Sequence, residues 1–174
     1  MSSGKIKGIV KKTLLVLLIA LVAIQFIRPV KNTDTTVNPQ DIAQLYPVPD
    51  SVMHILQKAC YDCHSNNTRY PWYFNVQPVA WWMDGHIKDA KKELNFSEFG
   101  KRPLVKRAKK LKKSAKEVQE GDMPLDSYLW IHKDAILTDA EKQTLEDWFN
   151  AQSQQIADKL PDSLKIKLAE KKGQ

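Results

Sequence analysis

The chain has 174 residues, of which 43% are hydrophobic, and a formal net charge of +7. This length allows one domain with appendages, and five Trp, five Tyr and five Phe residues are enough for a small core. The positive charge is concentrated in one segment without interleaved aromatic residues or nucleic-acid-binding motifs, which excludes a nucleic-acid-binding protein.

The N-terminal region has the pattern of an export signal. Four lysines precede an uncharged apolar stretch, residues 13–27, which ends at Arg28. Fifteen residues are fewer than the ~17–25 of a usual membrane-spanning helix, and they would equally suit the apolar region of a signal peptide. Because the small-x-small pattern of a cleavage site is poor, we expect residues 1–28 to form a cytoplasmic tip and a retained single-pass anchor. The rest of the chain would then lie on the periplasmic side of the cytoplasmic membrane.

Residues 29–48 carry few large apolar groups before Ile42 and are predicted to be a linker. The folded domain is predicted over residues 49–152, with a helical extension or tail over 153–174. Its first helix spans residues 49–64, with Asp50 or Ser51 as the cap. Its apolar face is formed by Val52, Ile55, Leu56 and Ala59.

This first helix ends in both cysteines of the chain, Cys60 and Cys63, followed directly by His64. A redox dithiol requires a thioredoxin-like βαβ context, and the chain has no strand pattern. A structural zinc site requires four ligands, and the other histidines are scattered. A disulfide within Cys-x-x-Cys closes a strained ring. Covalent haem attachment uses all three residues, with two thioethers and an imidazole on the iron. We therefore predict one haem c.

The segment after the motif is predicted to be irregular, because it is rich in Asn and Pro. Its aromatic residues are predicted to line the haem, with an ordinary core contact as the alternative for each ring. They are Tyr70, Trp72, Tyr73 and Phe74.

A second helix is predicted over residues 78–94. His86 lies on or beside its apolar stripe, as an alternative distal iron ligand, a partner of a haem propionate or a core histidine. Met83 falls within the helical pattern and is assigned to packing.

A third helix opens at Pro103 and stops at Gly121. Residues 101–116 contain nine Lys or Arg and no acidic residue. This basic helix is either a solvated face or a docking surface for an acidic redox partner or anionic lipid. Met123 follows in a loop bounded by Gly121 and Pro124, which is typical of a distal thioether ligand to haem iron rather than of a core methionine.

The last helix of the domain begins at Thr138, which forms a capping box with Glu141. The order of these parts resembles a class I cytochrome c domain. Residues 60–99 resemble, more narrowly, the haem-binding domain family of exported bacterial proteins. The shared features are Cys-x-x-Cys-His, Tyr-Pro-Trp-Tyr, the histidine after the paired tryptophans, and Asn-Phe-Ser.

This resemblance covers residues 49–152 and implies an all-α, cytochrome c-like domain around one covalent haem. It implies that Cys60 and Cys63 carry the haem, that His64 is the proximal ligand and that Met123 is the distal one. It also implies that a proline carbonyl orients His64, with Pro78 placed for this role and Pro71 as its competitor.

Ligation by both His and Met leaves the iron no open position, which favours electron transfer over catalysis. We therefore expect a membrane-anchored monohaem electron carrier rather than an enzyme. The alternatives are a haem sensor or haem enzyme module with a displaceable sixth ligand, and a subunit with a structural or assembly role.

Overall fold

A computed structural model of the chain describes residues 3–169 and the side chains of residues 5–165. Within that range the secondary structure is helical and contains no strand, which confirms the predicted all-α class. The outermost parts of the predicted tip and tail, residues 1–2 and 170–174, lie outside the described residues.

The helices follow one another in an order that matches the main predicted elements. They are α1 Ser3–Ile24, α2 Ile42–Leu45, α3 Asp50–Ala59, α4 Tyr61–His64, α5 Val79–Glu93, α6 Leu104–Glu120, α7 Asp126–Leu129, α8 Asp139–Asp158 and α9 Asp162–Ala169. Short 3-10 helices span Trp72–Asn75, Phe96–Lys101 and Lys133–Ala135.

The core forms where α6 packs along α8 and α8 contacts α3. The buried residues of α6 recur every three or four positions, so they form one apolar stripe. They are Ala108, Leu111, Ala115 and Val118. Leu145 and Phe149 of α8 and Leu56 of α3 are buried in the same cluster. The apolar face predicted for the first helix, Val52, Ile55, Leu56 and Ala59, is buried and is therefore confirmed.

The C-terminal end of α6 and the N-terminal end of α8 lie where the sequence predicts them. Gly121 ends α6 with φ 81°, a left-handed conformation that glycine adopts without steric cost. Thr138 caps α8, and the capping box with Glu141 is present.

The first predicted helix is divided into two parts. Cys60 has φ −126° and ψ −43°, which separates α3 from α4. Pro49 occupies the cap position of α3 without a side-chain hydrogen bond, so the expected cap on Asp50 or Ser51 is wrong. Proline holds this position because its fixed φ suits the entry to a helix.

The segment predicted as a linker, residues 29–48, packs against the domain. Ile42 is fully buried. The Asn32 side-chain amide donates to the Ser65 carbonyl oxygen at 2.9 Å and to Thr68 Oγ1 at 3.0 Å. The folded unit also continues beyond residue 152, because α8 runs to Asp158 and buries Ile156.

Helix α1 is exposed over residues 5–23. The chain after it joins the domain through Gln77, whose backbone N donates to Gln25 Oε1 at 2.9 Å and whose amide donates to the Ile27 carbonyl oxygen at 2.9 Å. The predicted membrane anchor is not supported: across the described residues, no helix combines the length and apolar character needed to cross a bilayer.

Candidate functional site

The imidazole of His64 is held in one orientation by the backbone that follows α5. Its Nδ1 lies 2.9 Å from the carbonyl oxygen of Leu94. A carbonyl oxygen only accepts hydrogen bonds, so Nδ1 carries the proton and Nε2 keeps its lone pair. Burial lowers the pKa of His64, which favours the neutral ring. The side chain is thus in the tautomer and charge state that binds a metal ion.

Leu94 supplies the carbonyl oxygen that orients His64, the role that the family resemblance implied for Pro78. The Pro78 carbonyl instead accepts a hydrogen bond from the Trp82 backbone N at 3.2 Å, within the first turn of α5. Leu94 is the C-terminal cap of α5 with φ −150° and ψ 126°, an extended conformation that frees its carbonyl oxygen from the helix. The carbonyl oxygen that orients His64 therefore belongs to Leu94, and the expected contact with Pro78, or with its competitor Pro71, is wrong.

His64 and Met123 line the same cavity, which we call the His64 cavity. It has a volume of about 130 Å³ and also contacts Cys60. Its walls are mainly apolar and include Leu94, Phe96, Val118, Pro124 and Phe149.

Met123 is directed to this cavity by the end of α6. After the left-handed Gly121, the backbone N atoms of Asp122 and Met123 both donate to the Glu117 carbonyl oxygen, at 2.9 and 3.2 Å. One carbonyl oxygen at the end of α6 thus accepts hydrogen bonds from two backbone N–H groups. These bonds fix the position at which the Met123 loop leaves the helix.

The rim of the His64 cavity is charged. Lys110 Nζ lies 2.6 Å from Glu93 Oε2, and Lys113 lies 3.8 Å from Glu117 and 3.9 Å from Glu93. A haem has a broad apolar face and two propionate carboxylates. The apolar walls, the free Nε2 of His64 and the Met123 thioether therefore fit such a group, whereas the two rim lysines are already paired with glutamates.

A second cavity of about 70 Å³ lies on the side of Cys63, and we call it the His86 cavity. His86 and His132 line it, and the Nδ1 of each donates to the carbonyl oxygen four residues earlier, at 2.9 and 3.0 Å. Met83, assigned to packing, also lines this cavity. The structure thus brings Met123, and not His86, into the cavity of His64.

The four aromatic residues after the motif have different surroundings. Tyr73 lines the His86 cavity, with its hydroxyl 3.5 Å from His132 Nε2. Phe74 is buried against Tyr70, with ring centroids 4.1 Å apart, and Trp72 is 78% exposed. The phenylalanine beside His64 is Phe96, at 6.3 Å between centroids. Tyr70, Trp72 and Phe74 line neither of these cavities, so the prediction that they line the haem is wrong.

The two cysteines are free and half-buried. Burial raises the pKa of Cys60 to about 12 and that of Cys63 to about 11. Reactive dithiols show the opposite shift, because they act as thiolates, so the thiols of this motif do not match a redox dithiol.

Over the part of the chain that the structure describes, no three His, Cys, Asp or Glu side chains come close enough to hold a metal ion. Haem iron requires only one or two protein ligands, since the porphyrin supplies four nitrogens.

Comparison with known proteins bears directly on this site. A family model described as a haem-binding domain matches residues 19–151, which include the motif, both cavities and most of α8. Neither the curated proteins nor the solved structures include a significant match to the chain.

Proposed function

The chain belongs to the haem-binding domain family, and from this premise we propose that it is an exported monohaem c-type cytochrome that carries single electrons. Haem is its cofactor. In the proposed holoprotein, Cys60 and Cys63 hold the haem covalently, His64 binds the iron, and Met123 is the second protein ligand.

One observation carries this proposal: the neutral imidazole of His64 and the thioether of Met123 line a single apolar cavity together with Cys60. When bound, the haem supplies a one-electron redox couple. Imidazole and thioether ligands together occupy both axial positions, and a thioether raises the reduction potential. With no position left for a substrate, electron transfer is favoured over catalysis.

The surrounding residues would tune this site. The Leu94 carbonyl oxygen accepts the Nδ1 proton of His64, which fixes the ring and makes Nε2 a stronger donor. The apolar walls that include Phe96 and Val118 would form part of the surroundings of the ligands. An apolar shell of this kind also shifts the potential of a bound metal.

A haem sensor or haem enzyme module is the rival proposal, and the His86 cavity is the feature that favours it. Tyr73, His86 and His132 are proton-carrying groups beside Cys63. They would become relevant only if the sixth ligand left the iron and a small molecule entered.

Export is supported by the lysine-flanked apolar stretch, residues 13–27, and by the chemistry of haem c, which bacteria attach outside the cytoplasmic membrane. A reporter fused to the C-terminus should be active only outside the cytoplasm. Separating membranes from soluble protein in high salt would show whether the segment keeps the protein on the membrane.

We further propose that the basic helix, residues 101–116, docks an acidic redox partner. Lys106 and Lys112 are exposed on it, whereas Lys110, Lys113 and Lys116 form ion pairs with glutamates. Lys106→Glu with Lys112→Glu should slow electron transfer to an acidic partner and weaken its salt dependence. The same double change at Lys88 and Lys92 of α5 is the matched control.

A redox titration followed by visible absorption tests the electron-carrier proposal. The expected result is a reversible one-electron curve that carbon monoxide does not change. A shift of the curve under carbon monoxide would favour the sensor or enzyme alternative.

A further inference from the structure

Asp62 is a buried carboxylate at the centre of the haem motif. It lies between the two cysteines and is only 7% exposed. Arg69 supplies three donors: its backbone N and Nε reach Oδ1, and its Nη2 reaches Oδ2, each at 3.1 Å. The Tyr128 hydroxyl donates to Oδ2 at 2.8 Å. Each carboxylate oxygen therefore has two donors, as an ionised group away from water requires.

The two partners of Asp62 come from different parts of the chain. Arg69 belongs to the loop directly after the motif, where Thr68 Oγ1 also donates to the Asp62 carbonyl oxygen at 2.6 Å. Tyr128 belongs to α7, which begins soon after Met123. The Tyr128 backbone N donates to the Leu125 carbonyl oxygen at 2.9 Å, in the first turn of that helix. The Asp62–Tyr128 hydrogen bond thus joins the attachment motif to the segment that carries Met123.

Helix α7 is short and only partly buried. It has four residues, of which Tyr128 and Leu129 pack against the hydrophobic core without being fully buried. A thioether is a weak ligand to ferric iron, so its binding depends on how firmly the loop around it is held. A hydrogen bond to a buried charge is about twice as strong as one between neutral groups.

We propose that Tyr128 is a positioning residue: its hydrogen bond to Asp62 holds the Met123 loop opposite His64 and so keeps the thioether on the iron. This inference rests on the proposed function and extends it to a residue outside the motif and the ligand set. Tyr128 itself need not touch the haem.

The chain offers a matched control for this proposal. Tyr61 lies beside Cys60, and its hydroxyl is buried without a hydrogen-bond partner among the described residues. Tyr128→Phe and Tyr61→Phe each delete one phenolic oxygen, but only the first breaks a hydrogen bond. Arg69 still pairs with Asp62 in both variants, so both should fold and attach haem.

The experiment titrates the purified ferric holoprotein with imidazole, which competes with Met123 for the iron. The loss of the far-red charge-transfer band of thioether-bound ferric haem reports the displacement. Tyr128→Phe should bind imidazole about tenfold more tightly than the wild type, the usual effect of losing one hydrogen bond to a charge. Tyr61→Phe should bind it as the wild type does. Far-ultraviolet circular dichroism checks that all proteins are folded.

Wild-type imidazole affinity in Tyr128→Phe, with the band present, would overturn the positioning role and leave the proposed function intact. Absence of the band in the wild type would instead refute the His64 and Met123 ligation, and this inference with it. Asp62→Asn gives a second test. In that background Tyr128→Phe should have less than its tenfold effect, because the hydrogen bond of Tyr128 then meets a neutral amide and not a charge. A full tenfold effect there would also overturn the role.

Discussion

The Nδ1 atom of His64 donates a hydrogen bond of 2.9 Å to the carbonyl oxygen of Leu94, the residue that ends α5. This contact couples the orientation of the His64 imidazole to the end of a neighbouring helix. It leaves Nε2 unprotonated, and His64 lines the same cavity as Met123. The proposed function depends on that shared cavity.

The proposed covalent attachment of haem would depend on both thiols of the motif. Cys63→Ser should weaken or abolish haem staining on a denaturing gel, and Cys60→Ser with Cys63→Ser should abolish it, because no thioether can form. Met83→Ala, a change elsewhere in the site, should keep full staining. Purified wild-type protein that is colourless and carries one zinc ion would contradict the prediction.

Met123 and Met83 provide a matched pair for the sixth ligand. Met123→Ala should remove the far-red band of the ferric protein, lower the reduction potential and open the iron to carbon monoxide, while covalent haem remains. Met83→Ala should change none of these, because Met83 lines the His86 cavity and not that of His64. If His86→Ala opened the iron and Met123→Ala did not, the ligand assignment would be wrong.

The Lys58–Glu141 ion pair joins α3 to the first turn of α8 at 2.6 Å, with both side chains at most a quarter exposed. The hydrogen bond from Lys58 lowers the pKa of Glu141 below its usual value. The pair therefore stabilises the fold above the ordinary carboxyl pKa, and this contribution is lost as the pH falls through the lowered value.

Lys58→Met should thus lower the free energy of unfolding by about 1 kcal/mol or less at neutral pH. In urea unfolding followed by circular dichroism, its difference from the wild type should shrink in strong acid. Lys88→Met removes the Lys88–Asp84 pair, in which the lysine is 66% exposed, and should have a smaller effect. A Lys58→Met effect that grows as the pH falls would show that the pair does not act as described.

Two glycines should respond in opposite directions to the same change. A Cβ on Gly100 would collide with Gln40 and Leu45 of the segment before α3, whereas a Cβ on Gly85 would meet no atom within 4 Å. Gly100→Ala should lower the free energy of unfolding by about 1 kcal/mol, because the ends of the Gln40 and Leu45 side chains must move and the Gln40 Cα would lie only 3.2 Å from the new Cβ. Gly85→Ala, inside α5, should raise it by about 0.5–1 kcal/mol. If thermal unfolding showed no loss for Gly100→Ala, residues 29–48 would not pack as described.

The features that sequence reasoning identified correctly are set by neighbouring residues. The bounds of α6 and the start of α8 follow from a first-turn proline, a C-terminal glycine and a capping box, and the Cys-x-x-Cys-His motif is contiguous. The Leu94 carbonyl, Phe96 and Tyr128 could not be found in this way, because each reaches the site through the tertiary fold. Of these three, only Phe96 could have been found from the sequence, because it lies in the Asn-Phe-Ser segment that the chain shares with the family.

The segment before α3 was missed for a different reason. Residues 29–48 attach to the domain through hydrogen bonds, such as those of Asn32 and the bond from the Gly100 backbone N to the Gln40 carbonyl oxygen, and through a few apolar contacts of Ile42, Tyr46 and Val48 that form no long periodic run. Hydrophobic periodicity does not detect contacts of this kind. The prediction that the aromatic residues after the motif line the haem failed for a related reason. An irregular segment has no hydrophobic period, so its sequence does not show which ring points inward.

The visible absorption spectrum of the purified domain, recorded oxidised, reduced, and reduced under carbon monoxide, is the most direct test of a haem bound by both His64 and Met123. We predict a far-red band in the oxidised protein, a low-spin reduced spectrum, and no change under carbon monoxide, because His64 and Met123 would both bind the iron in the proposed holoprotein. A colourless protein would contradict haem binding itself. A reduced protein that binds carbon monoxide readily would contradict the electron carrier and favour the sensor or enzyme.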